Sequence, residues 1–165
     1  MAAFAKVLVD AFKHEAKQAR FVLSSIEESH LDFVPTEGMK PLRELANHLA
    51  QIPRLDISFF TKEIESIEQA QEMEKKLRRE SLKEILEVFD QGIEHLTSHF
   101  EGMSDDVFLK ECLNPCYSEG PDKSWAYYLP EITSHMVMHK MQLWMYLKLA
   151  GADVNMMTYY GIPSS

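Results

Sequence analysis

Four stretches of the chain place apolar residues at steps of three and four, and this spacing limits the fold more than any other feature. Such steps put side chains on one face of an α-helix, whereas a half-buried strand would need strict alternation. The stretches predict helices at 3–29, 41–62, 81–102 and 130–151. No stretch has a convincing strand pattern, so the predicted class is all-α, with the helices packed as a four-helix bundle.

The connections between these helices are unequal. Residues 63–80 are strongly charged and predict a solvated, partly helical connector, whereas 103–128 predict a long irregular connection before the last helix. These two connections leave room for a topology other than simple up-and-down. Pro53 is expected to kink the second helix, and Pro130 to lie in the first turn of the last. We expect 1–165 to form a single domain, since 165 residues can bury one sizeable core.

Composition excludes some classes of function. A net charge of −9 argues against nucleic acid as the main partner, because phosphate binding needs a basic surface. No run approaches the roughly 18 apolar residues of a membrane span. Lys6, Asp10 and Lys13 interrupt the first apolar stretch too early for a signal peptide, so the expected location is cytoplasmic. Cys112 and Cys116 are expected to be free thiols, because their spacing does not match a C-x-x-C redox motif.

The last predicted helix carries the strongest chemical signal. His135 and His139 are four residues apart, so their side chains lie one turn apart on the same face. They share an inward arc with Gln142 and Tyr146, which we expect to line a cofactor pocket. By itself this pair is equally consistent with two hydrogen-bonded core histidines.

A third histidine that faces the core favours a metal site over the alternative of hydrogen-bonded core histidines. His48 lies within the apolar arc of the second helix, flanked by Leu45 and Ile52. Three nitrogen ligands are the number typical of a catalytic metal site with an open position. The predicted ligands are therefore His48, His135 and His139, and imidazole ligation suits Zn²⁺, Ni²⁺ and Fe²⁺ alike.

Two further features bear on this site. His95 and His99 have the same spacing as the ligand pair, but they fall outside the apolar stripe of their helix and should face solvent or flank the core. Glu15 lies in the middle of the stripe of the first helix. It is a candidate general base or an acceptor for a ligand histidine. It could equally form a salt bridge with Lys or Arg at the bundle rim.

The same residues carry a resemblance to a known family. HMVMHKMQLWMYLKLAG (135–151) resembles the last-helix motif of the DinB/YfiT-like superfamily, broadly H-x-x-x-H-R-x-Q-x-x-x-Y-L-x-x-x-G. LRELANHLAQIPRLDISFF (42–60) is similar to the second helix of that family. The resemblance covers nearly the whole chain, with Lys140 where many relatives carry arginine. It implies an up-up-down-down topology, a homodimer, and a divalent metal held by His48, His135 and His139.

What the resemblance implies about function is broader. Characterised relatives include metal-dependent transferases that use thiols such as bacillithiol or mycothiol, and a thiol-dependent isomerase. Our hypothesis is a metal-dependent thiol S-transferase or hydrolase acting on a small electrophile. The alternative is a non-enzymatic, stress-related metal-binding protein or a dimeric small-molecule-binding protein. An accessible cavity at the histidines would favour chemistry, and a sealed site would favour the alternative.

Overall fold

The computed structural model describes residues 3–163, and the regular structure among them is helical, as predicted. Seven α-helices follow in chain order, with one 3₁₀ turn at Glu28–His30 after the first. Their bounds are α1 Ala3–Ser24, α2 Leu42–Phe60, α3 Ile67–Leu77, α4 Leu82–His99, α5 Asp105–Leu109, α6 Trp125–Leu149 and α7 Met156–Tyr159. None of these helices has the length and apolarity needed to cross a membrane.

Four long helices share one hydrophobic core. α2 packs on both α4 and α6, and α1 packs on the same two helices. The apolar stripes predicted from the sequence meet in the middle, where the fully buried side chains include Phe12, Leu23, Leu49, Ile52, Phe89, Phe100, Met136, Leu143 and Leu147. This packing places α2 directly against α6, the two helices that carry the predicted ligands.

Two helix ends lie five residues from their predicted positions. α1 ends at Ser24 rather than at 29, because the hydroxyls of Ser24 and Ser25 both donate to the carbonyl of Phe21 and compete with the helical ladder. α6 begins at Trp125 rather than at 130, so placing Pro130 in the first turn was wrong. The buried aromatic side chains of Trp125 and Tyr128 favour the longer helix, and Pro130 is exposed within it.

The charged connector is partly helical, as predicted, and it is fixed to α2. The side chain of Asn47 donates to the carbonyl of Arg79 at 2.9 Å and accepts from the backbone N–H of Arg79 at 2.7 Å. Gln51 donates to the carbonyl of Glu74 at 3.1 Å. Buried amides on α2 therefore hold α3 and the residues after it as a wall beside His48.

α2 and α4 approach closely at one glycine. A Cβ on Gly92 would lie 3.2 Å from the backbone nitrogen of Arg54 and 3.4 Å from the Cβ of Pro53. α2 remains helical through Pro53, and this proline packs against the glycine of α4. The absence of a side chain at Gly92 thus sets how near α4 can lie to α2.

Candidate metal centre

The three predicted ligands meet at the interface of α2 and α6. All three histidines are half-buried, and one ligand atom from each lies within 4.8 Å of the other two. The Nε2 atoms of His48 and His139 are 3.2 Å apart. The ring of His135 lies 5.5 Å from that of His48 and 4.9 Å from that of His139, centroid to centroid. Three imidazole nitrogens are therefore within reach of a single ion.

Two hydrogen-bond acceptors on the outer side of the triad determine which nitrogen of each imidazole carries the proton. The Nδ1 atom of His135 lies 2.8 Å from a carboxylate oxygen of Asp56, and the Nδ1 atom of His139 lies 2.7 Å from the side-chain oxygen of Gln142. Because both oxygens accept hydrogen bonds, each Nδ1 donates its proton to them. A neutral imidazole with a protonated Nδ1 has its lone pair on Nε2. In this tautomer Nε2 is free to bind a metal, and the hydrogen bond at Nδ1 fixes the orientation of the ring.

The environment also keeps protons away from two of the ligands. Burial and the two neighbouring imidazoles lower the pKa of His48 from 6.5 to about 4. Burial lowers the pKa of His139, while the hydrogen bond that His135 donates to Asp56 raises the pKa of His135. His48 and His139 are therefore neutral at neutral pH, which is the state that binds metal. The donor set fits a divalent ion that accepts nitrogen ligands.

Asp56 was missed from the sequence. It lies on α2 two turns after His48, and it is the one acidic residue between Ala46 and Phe60. A lone carboxylate in this segment, on the same helix as a candidate ligand, is the signal that could have identified it. Its side chain is largely buried, and its partner in the structure is His135.

Cavities reach the histidines from more than one side. The largest, which we call the methionine cavity, has a volume of 500 Å³ and extends to His48 and His139. Its walls include Met39, Lys40, Glu44, Leu45, Met141, Gln142, Met145, Tyr146 and Leu149. A second cavity of 290 Å³ reaches His135 beside Asp56 and Tyr117. The site is therefore accessible, and Gln142 and Tyr146 lie on a cavity wall.

Glu15 makes a different contact from the one that a base at the triad would need. Its carboxylate accepts from the ammonium of Lys140 at 2.8 Å, and Gln18 accepts from the same ammonium at 2.6 Å. Lys140 is 1% exposed, and its charge lies 4.2 Å from the ring centroid of Tyr159. The contact shown is thus the salt bridge that the sequence left open, and it joins α6 to α1 and α7. A catalytic role for Glu15 stays a prediction.

The other histidine pair lies apart from the triad. His95 is exposed, 3.7 Å from a carboxylate oxygen of Glu63. His99 is half-buried and packs edge-on against Trp125, with ring centroids 5.0 Å apart. The pair flanks the core, as its position outside the stripe predicted. Cys112 and Cys116 are both exposed free thiols.

Comparisons with known proteins agree with this architecture. The model of the DinB family matches residues 1–165. A crystal structure of a putative member of the DinB family from Exiguobacterium sibiricum 255-15 superposes with a TM-score of 0.74 at 21% sequence identity. The match covers 94% of this chain and 97% of that one. A search of curated proteins found no match.

Proposed function

The chain belongs to the DinB family, and from that premise we propose that His48, His135 and His139 hold one divalent metal ion, Zn²⁺, Ni²⁺ or Fe²⁺. The observation that carries this proposal is the orientation of the imidazoles. Asp56 and Gln142 accept hydrogen bonds from the Nδ1 atoms of His135 and His139, which leaves the lone pair of each ring on Nε2. The Nε2 atom of His139 lies 3.2 Å from that of His48 across the α2–α6 interface. The resemblance also implies an up-up-down-down order of the long helices and a homodimer, which we retain as proposals.

The chemistry that we propose is attack by an activated thiol or water on a small electrophile. A bond forms from sulfur or oxygen to the electrophilic atom, the bond from that atom to its leaving group breaks with the electron pair going to the leaving group, and the proton of the thiol or water is released to solvent. A bound divalent ion supplies Lewis acidity, which lowers the pKa of a thiol or water that it ligates. Three protein ligands leave room for such a group. The residues of the chain orient the imidazoles, admit a small molecule through the methionine cavity and place apolar side chains beside it.

The accessibility of the triad favours an enzyme over the non-enzymatic alternative. A purely structural metal site is usually closed by four protein ligands. Here three histidines are half-buried, and cavities reach His48, His139 and His135. We therefore propose a thiol S-transferase, for which a bacillithiol-type thiol is the expected small-molecule partner. A hydrolase would differ only in using water as the nucleophile.

The test is thiol-dependent turnover. Protein loaded with Zn²⁺, Ni²⁺ or Fe²⁺ is incubated with bacillithiol and monochlorobimane, and the fluorescent conjugate is followed above the uncatalysed rate. We expect turnover that a chelator abolishes, that His139→Ala loses, and that His95→Ala retains. Metal-loaded protein that gives no turnover with bacillithiol, mycothiol, cysteine or glutathione would overturn the transferase proposal.

A further inference from the structure

We propose that the methionine cavity binds an amphiphilic anion, a small molecule with an apolar chain and an anionic head group that reaches His48 and His139. This inference rests on the proposed function, since the head group would meet the metal there. It goes further by naming the class of molecule, and it depends on side chains of this chain outside the triad.

The wall of the methionine cavity is apolar and faces solvent. Met141, Met145 and Leu149 follow one another at steps of four along α6 and are 40%, 45% and 60% exposed. Met39 from the loop before α2 and Leu45 from α2 lie on the same cavity. An apolar chain placed along this row would remove those side chains from water, and each buried methylene should improve affinity about fourfold. Methionine adapts to chains of different shape because its side chain is unbranched and flexible.

Part of the cavity wall belongs to the triad and to one of its hydrogen-bond partners. His48, His139 and Gln142 line it, and Gln142 is already bound to the Nδ1 side of His139. A molecule in the cavity therefore has ligand nitrogens near one end and thioether and aliphatic groups along its length. This distribution matches a molecule with one metal-binding head and an apolar tail.

The charges on the cavity wall select the sign of the head group. Glu44 pairs with Arg78, so its charge is compensated. Lys40 has no carboxylate within ion-pair distance among residues 3–163, and it lines both the methionine cavity and the polar cavity between α2 and α3 that also touches His48. A cation without a partner beside the ligands favours an anion over a neutral or cationic head.

The test uses straight-chain hydroxamates, which bind metal as anions and can carry alkyl chains of increasing length. Binding of acetohydroxamate, butanohydroxamate, hexanohydroxamate and octanohydroxamate to zinc-loaded protein is measured by calorimetry. We expect affinity to rise about fourfold per added methylene until the cavity is filled. Lys40→Gln should weaken every member of the series by a similar factor, about two- to fivefold, because it removes a partly screened charge.

A matched pair of variants tests where the alkyl chain of the hydroxamate binds. Met145→Gln places a polar group of similar size on the cavity wall and should flatten the dependence on chain length. Met138→Gln makes the same change at a methionine of α6 that is 52% exposed but does not line the cavity, and it should leave the dependence unchanged.

The zinc content of the same samples distinguishes a failure of the cavity proposal from a failure of the proposed metal site. Full zinc with equal affinity for all four hydroxamates, or equal effects of the two methionine variants, would overturn the cavity inference alone. Protein that retains no zinc would overturn both this inference and the metal site on which it rests.

Discussion

At the scale of single residues, the oxygen acceptors behind the triad decide which nitrogen each imidazole presents. Asp56 accepts from His135 and Gln142 accepts from His139, at 2.8 and 2.7 Å. A ligand histidine without such a partner can rotate or change tautomer, and both changes lower its affinity for metal. The effect of these two acceptors on metal affinity should therefore be measurable separately from the effect of the histidines themselves.

Removing Asp56 tests this directly. Asp56→Ala leaves all three imidazoles in place, and we expect zinc affinity to fall about 10- to 100-fold because the orientation of His135 is lost. The measurement is competition against a chelator of known affinity. Glu131→Gln is the matched control, since Glu131 lines the same 290 Å³ cavity without hydrogen-bonding His135. Equal losses in the two variants would contradict the role given to Asp56.

The metal-free protein should respond to acid through the same residues. The pKa of His48 is lowered to about 4, so between pH 6.5 and 4 the unfolded chain takes up a proton that the folded chain refuses. This contribution makes the free energy of unfolding fall as pH falls through that range. The raised pKa of His135 acts with the opposite sign, because its stabilisation is present below 6.5 and is lost as pH rises through the folded pKa.

Two substitutions separate these contributions. In urea unfolding of chelator-treated protein between about pH 4 and pH 8, His48→Gln should reduce the loss of stability in acid. His135→Gln should increase it. If both variants changed the acid response in the same direction, the two opposite pKa shifts would not describe the folded protein.

The three histidines of the triad and Gln142 could be predicted from the sequence, and Asp56 could not. Helical periodicity fixes the side of the helix on which His48, His135 and His139 lie, and the same rule places His95 outside the stripe. Asp56 becomes recognisable only when α2 and α6 are opposed, because its contact with His135 joins residues 79 positions apart. Local periodicity contains no information about such a pairing.

At the scale of helices, the site depends on how α2 is held between its neighbours. α2 carries His48 and Asp56, α6 carries the other two histidines of the triad, and α4 also packs on α2. Gly92 permits the close approach of α4, since a Cβ there would lie 3.2 Å from the backbone nitrogen of Arg54. Backbone atoms cannot move aside as a flexible side chain can.

A larger residue at Gly92 should therefore destabilise the fold. Gly92→Val forces two methyl groups into the α2–α4 contact, and we expect a loss of about 1–3 kcal/mol in the free energy of unfolding from overpacking. Chemical denaturation measures this loss. Glu94→Val places the same residue at an exposed position of α4 and should cost less than about 1 kcal/mol. Equal losses would show that valine acts through helix propensity and not through the contact.

The start of α6 is a feature that local sequence patterns predicted incorrectly. Apolar periodicity located all four long helices, but it placed the start of α6 at Pro130 because proline usually marks a first turn. Burial of Trp125 and Tyr128 extends the helix past that point. A local signal was outweighed by packing against the core, which depends on where the other helices lie.

At the scale of the whole molecule, α6 is tied to every other long helix that it meets. Lys140 joins it to α1 through Glu15 and Gln18, and His135 and His139 contact α2 from another side of the same helix. An ion bound by the triad would cross-link α2 and α6, whose ligands are 87 or more positions apart in the sequence. Binding to the folded state alone must stabilise the whole fold.

Metal should therefore raise the thermal stability of the protein. With free ion at one hundred times its dissociation constant, the gain is about 2.7 kcal/mol, which corresponds to about 5–10 °C in Tm for a chain of this length. Thermal unfolding followed by circular dichroism, with and without zinc, measures the shift. His139→Ala should show no shift and His95→Ala the full one. A shift of equal size in both variants would place the stabilising ion elsewhere.

The metal content of the protein tests whether the triad of His48, His135 and His139 binds a metal ion. The protein is purified without chelators or a histidine tag, supplemented with divalent metal, passed through a desalting column and subjected to elemental analysis. We expect one ion per chain in the wild type and in His95→Ala, and a loss of bound metal in His135→Ala. A wild-type protein without stoichiometric metal, or a His135→Ala protein that retains it fully, would contradict the assignment of the triad as a metal site.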